Sequence, residues 1–175
     1  MSELFNLTPA NTQNIRNIEN ATATNCLAGF IADKAAAAKV EAAALASGTI
    51  EALGLTFDVY TETLTTAKGY TVNVPNTPDK SGRDRCKVYI PTLAKSRSVA
   101  QALVMMVLDA AGIGYPMGYQ IHHIDGDHTN NSLNNLVVVT PAMHKRLHYL
   151  MDEVARGWKT EREYMDIVEE VRVRF

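Results

Sequence analysis

The sequence predicts an α+β fold in which a strand–loop–strand–helix unit carries the chemistry. Three observations predict it. The first third of the chain is Ala-rich, with "DKAAAAKVEAAALA" at its centre, and Ala has the highest intrinsic helix propensity. From Leu55 onward the chain breaks into short runs of β-branched and aromatic residues separated by turn formers. All five histidines of the 175 residues then fall between His122 and His148, where two strand-like runs and one helical run lie close together.

Residues 1–54 are expected to form a helical region. Thr8 and Pro9 suit an N-cap and first turn. Ile31, Ala35, Ala38, Val40 and Leu45 hold no clean heptad. The region is therefore expected to pack on the rest of the chain or to join two copies as a homodimer. Gly48 and Gly54 are natural stops. Residues 55–175 are expected to form the second domain. There, "TFDVYTE" and "GYTVNV", joined by the turn-like "TTAKG", read as a short β-hairpin. "NTPDKSGRDR" reads as an exposed loop and "CKVYI" as a short strand. Ser96 or Ser98 caps a helix through "VAQALVMMVLDAAG" that ends at Gly112. After the connector "IGYPMGYQ", the runs "GYQIHHI" and "NLVVV" read as strands around "DGDHTNNSLN", a loop of turn formers. Thr140 and Pro141 cap and begin a helix. A last helix runs from about Thr160 to Val173, with a mixed-charge face.

Composition excludes several classes. With 46% hydrophobic and 21% charged residues the chain can bury a core. A net charge of −2 gives no global basic field. The basic excess is local: Lys80, Arg83, Arg85, Lys87, Lys95 and Arg97 face only Asp79, Asp84 and Asp109 between Pro78 and Ala111. Cys26 and Cys86 are too far apart for a CxxC pair, so reduced thiols are expected. No run of 18 apolar residues suggests a membrane span. The start lacks a basic stretch followed by an apolar block, so a cytoplasmic protein is expected.

Adjacent residues of a strand point to opposite faces, so His122 and His123 serve different sides. Residues four apart on a helix share a face, so His144 and His148 lie together. Two imidazoles one turn apart and a third from the strand suit a three-nitrogen metal site with an open position.

The stretch "HHIDGDHTNNSLNNLVVVTPAMHKRLH" resembles the motif of the HNH endonucleases, the ββα-metal or His-Me finger. The matching features are His122-His123, Gly126-Asp127, Asn130-Asn131, Asn135-Leu136 and His144. The lead-in "GYPMGYQIHHIDGD" resembles phage and intron-encoded homing members, which would place the protein in a bacterial host cell. "TPAMHKRLH" resembles the bacteriocin nucleases, in which a second helical His binds the metal. The resemblance covers roughly residues 85–150, with the ββα core at about 119–153.

The resemblance implies DNA as substrate and one divalent metal ion, Mg, Mn, Zn or Ni. Imidazole donors turn that choice toward transition ions. It implies His123 as the general base that activates water, with His122, His144 and His148 as metal ligands. Asn135, the other catalytic position, would tie loop to strand and hold the backbone of the base histidine. Arg83, Arg85, Lys87, Arg97, Lys145 and Arg146 are candidate phosphate contacts. His128 is expected at the surface, and Asn130 and Asn131 are expected only to shape the loop turn. Two alternatives stand beside the nuclease: a non-catalytic DNA-binding protein that keeps the ββα fold, and a structural zinc domain built on His122, His144 and His148.

Overall fold

The computed structural model describes residues 34–78 and 86–172, which two hydrophobic clusters organise. The expected helix start at Thr8 and the side chains of Arg83 and Arg85 lie outside the described residues. Helix α1 spans Lys34–Ser47. It stops where Gly48 takes φ +73, a left-handed conformation that suits Gly. The chain then turns at once into a sheet. Strands β1 (Thr49–Ala52), β2 (Leu55–Asp58), β3 (Thr63–Thr66) and β4 (Thr71–Asn73) pair antiparallel in that order.

Two expectations are corrected here. The helix does not run to residue 54, because Thr49–Ala52 pairs with β2 and sets Ile50 opposite Phe57, both buried. The expected single hairpin is a four-stranded meander. "TFDVYTE" is not one strand: Asp58 Oδ1 accepts from the backbone N–H groups of Tyr60 and Thr61, both at 2.9 Å. Such an Asx turn reverses the chain.

Strands β5 (Lys87–Ile90) and β6 (Lys95–Ser98) form a hairpin around a 3-10 turn at Pro91–Leu93. Helix α2, Val99–Ala110, follows without a break. Ser98 is its N-cap: the Oγ accepts from Gln101 N at 3.3 Å. Eight side chains of this apolar helix are buried, and it packs on β1 at the centre of the larger cluster.

Strands β7 (Gln120–His123) and β8 (Leu136–Val139) pair antiparallel, and helices α3 (Pro141–Ala155) and α4 (Glu161–Arg172) follow. Thr140 caps α3, its hydroxyl accepting from Met143 N at 3.3 Å, with Pro141 in the first turn. Every side chain of β8 is buried. Leu136 and Val138 belong to the larger cluster, whereas Val137 and Val139 belong to a smaller one with Leu147, Leu150, Tyr164, Val168 and Val171. Strand alternation thus makes β8 a wall between two cores. That wall also positions the site. His122 sits opposite Val137, and His123 opposite Leu136. Directly opposed residues share a face of the ribbon, so His122 turns toward α3 and α4 while His123 turns the other way.

A candidate metal and catalytic site

The first group of residues lies on the smaller-core side. His122 is 1% exposed. His144 and His148, one turn apart on α3, place their ring centroids 5.4 Å and 4.8 Å from it and 4.7 Å from each other. One ring nitrogen from each of the three falls within 4.8 Å of the others. The three are buried, half-buried and exposed in turn, so the cluster opens to solvent on the His148 side. Burial first, and then the neighbouring His148, His144 and His123, together lower the His122 pKa to about 4. The ring is therefore neutral at neutral pH, which is the ligating form. His122 Nδ1 is buried with no hydrogen-bond partner among the described residues. A buried polar atom normally has one. Three imidazole donors within reach of one another, one with an unsatisfied buried nitrogen, fit a divalent transition ion.

His122 Nε2 lies 2.8 Å from the hydroxyl of Tyr164, on α4. The same hydroxyl donates to the carbonyl oxygen of Ile124 at 2.8 Å.

His123 is held by a second network. Its Nε2 lies 2.9 Å from Asn131 Oδ1. Asn131 Nδ2 donates to Thr77 Oγ1 at 2.9 Å, and Asn131 N to Val74 O at 3.0 Å. Thr77 commits its one hydroxyl hydrogen to the Val74 and Asn73 carbonyls, so it accepts from Asn131. This fixes the amide with its oxygen toward His123. An amide oxygen only accepts, so Nε2 carries the ring proton and the neutral ring has its lone pair on Nδ1. Asn131, expected only to shape the turn, is thus the orienting partner of His123. Both neighbours of a buried asparagine are visible only in the folded chain.

Asn135 ties the intervening loop together. Its Oδ1 accepts from Asp125 N at 3.0 Å, and its Nδ2 donates to Asp125 Oδ1 at 2.7 Å and Asn130 O at 2.8 Å. Its backbone oxygen accepts from Ile124 N at 2.8 Å. These bonds land on Ile124 and Asp125, next to His123. The carbonyl of His123 itself accepts from Gly126 N at 3.1 Å. Gly126 has φ +78, a left-handed conformation that favours glycine, and a Cβ there would also displace the Met151 methyl.

A groove of about 670 Å³ joins the two groups, since both His123 and His144 line it. Lys87, Arg97 and Gln101 form one part of its lining, and Tyr115, Tyr119 and Gln120 another. Lys145 and Arg146 are exposed on α3 and do not line this groove. His128 is exposed, at the edge of a small cleft shared with His123, Thr129 and Asn131.

Residues 110–146 match the sequence model of a family described as HNH endonuclease. The matched span carries His122, His123, Asn131, Asn135 and His144, and it ends before His148 and α4. No curated protein and no solved structure matches the chain.

Proposed function

We propose that this chain is a metal-dependent HNH endonuclease that hydrolyses DNA phosphodiester bonds, with His123 as general base. The observation that carries the reading is the division of β7 between two tasks. His122 enters a cluster of three imidazoles, and His123 enters the adjoining groove with its ring oriented. His144 belongs to both.

His122, His144 and His148 would hold a divalent ion, which would supply Lewis-acid stabilisation of charge on the departing oxygen. The all-imidazole set suits zinc or nickel better than magnesium, which seeks oxygen donors. His123 Nδ1 takes a proton from the attacking water. The imidazolium that forms keeps its Nε2–H bond to Asn131, which becomes a charge-assisted bond and steadies the new charge. Asn135 holds the loop so that the two histidines keep their separate directions. Lys87 and Arg97 bind backbone phosphates along the groove. The "GYPMGYQIHHIDGD" lead-in favours a phage or mobile-element nuclease acting in a bacterial cytoplasm, with residues 1–54 as a packing or self-association element.

The structural-zinc alternative is less well served. Structural sites are closed by four protein ligands, whereas this cluster has three among the described residues and opens to solvent at His148. The test is nicking of supercoiled plasmid across Mg, Mn, Zn and Ni. Wild type should nick with at least one of them, and His123→Ala should lose about 10²- to 10⁴-fold. Nicking by His123→Ala at the wild-type rate would remove His123 as the base and bring the structural-zinc reading forward.

A further inference from the structure

The hydrogen bonds at Tyr164 decide which atom of His122 is available to a ligand. A phenol carries one hydrogen. Tyr164 donates that hydrogen to the Ile124 carbonyl at 2.8 Å, an oxygen that can only accept. Toward His122 Nε2, also at 2.8 Å, the hydroxyl must therefore act as acceptor. Nε2 carries the ring proton, and the lone pair of the neutral ring sits on Nδ1. Nδ1 is the buried nitrogen with no partner among the described residues. The opposite tautomer would set two lone pairs against each other and leave an N–H buried without an acceptor, which is costly twice over.

We infer that Tyr164 is a positioning residue of the metal site: its hydroxyl holds His122 as the Nε2–H tautomer and so makes Nδ1 the ligating atom. The inference rests on the metal-site reading above. A histidine kept only for packing would be satisfied at both nitrogens; here one is satisfied and the other is left over. Partners of this kind orient the ring and raise its basicity as a ligand. The same hydroxyl grips Ile124, so one side chain of α4 holds the chain on both sides of His123. Tyr164 lies beyond the matched span of residues 110–146. Helix α4 is thus a part of the site that the motif does not contain.

The test is Tyr164→Phe in the full chain, which removes one oxygen and keeps a ring that is 6% exposed. Two readouts are needed. Ring ¹⁵N shifts of His122 in metal-free protein at about pH 8 report the tautomer without any metal. Calorimetric titration with Zn²⁺ reports affinity. Wild type should show a protonated Nε2, and Tyr164→Phe should lose that preference and bind zinc about 10- to 100-fold more weakly. Val168→Ala, which loosens the same cluster without touching the hydrogen bond, should keep both the tautomer and the affinity. A wild-type ring protonated on Nδ1 overturns the inference whatever the variants do. Unchanged zinc affinity in Tyr164→Phe overturns the role of Tyr164 and leaves the metal site standing. If wild type binds no zinc, the metal site falls, and this inference with it.

Discussion

Asn131 does for His123 what Tyr164 does for His122, and the two can be separated by experiment. Removing the Asn131 amide leaves His123 Nε2–H without this acceptor in the charged state that the proposed mechanism creates. Hydrogen bonds to charged groups contribute about 1.5–3 kcal/mol, so Asn131→Ala should slow nicking by roughly 10- to 100-fold while zinc affinity holds. Equal losses in both assays would show that the loop, and not the base, had been disturbed. His144→Ala should fail by another route: weak metal retention, which excess metal partly restores. His123→Ala should not respond to metal. The low pKa of His122 has its own consequence. Its folded value, about 4, lies below the unfolded value of about 6.5, so unfolding takes up a proton between them. The stabilisation is complete above pH 6.5 and is lost as pH falls toward 4, by up to about 3 kcal/mol. Thermal melts of metal-free wild type should show this fall, and His122→Asn should flatten it. An equal pH slope in the two proteins would mean that other groups govern acid unfolding.

At the scale of elements, what was legible was what depends on near neighbours. Thr140-Pro141 marks the start of α3, Ser98 is one of two caps expected for α2, and the ββα order follows from the spacing of its runs. Pairing across the sheets was harder. "TIEA" looks like more of the Ala-rich helix until Gly48 and the partner β2 are known. "KSRS" has no apolar residue and becomes β6 only because "KVYI" lies across a tight turn from it. Helix α3 shows how packing serves chemistry. Leu147, fully buried, sits between the two helical histidines in sequence and anchors their helix on the smaller core. Leu147→Ala should destabilise the protein by about 2–5 kcal/mol, measured by urea unfolding, and should also weaken zinc binding. Loss of stability with unchanged zinc affinity would show that the cluster forms without this anchor.

Across the whole molecule, the site draws on parts far apart in the chain. Tyr164 is 42 residues from His122, and Thr77 is 54 residues from Asn131. No spacing rule links such pairs, so the residues that aim the two histidines were hidden while the histidines were plain. The groove is similar: Lys87 and Arg97 stood in the basic run, but Gln101, Tyr115 and Tyr119 join them only after folding. If DNA follows this groove, Lys87→Ala and Arg97→Ala should each weaken binding of a His123→Ala protein. Each should also lower the slope of log affinity against log salt by about 1. Lys145→Ala, outside the groove, should change the slope less. An unchanged slope in both groove variants would mean that the backbone runs elsewhere.

The apolar wall between the two cores carries a hazard. Strand pairing is usually kept in frame by a difference between an oily and a watery face, but Leu136, Val137, Val138 and Val139 are equally at home on either side. Hydrophobicity alone would let this ribbon slide by one residue, and such a slide would exchange the faces on which His122 and His123 stand. What distinguishes the frames is polar: the bonds from Asn135 to Asp125, Asn130 and Ile124 close the loop in only one alignment. Asn135 then acts as an index pin, and its loss should yield a protein that is folded yet heterogeneous. Asn135→Ala should show doubled amide resonances for Ile121 to His123, and a single well-dispersed set would mean that the histidines keep the frame unaided.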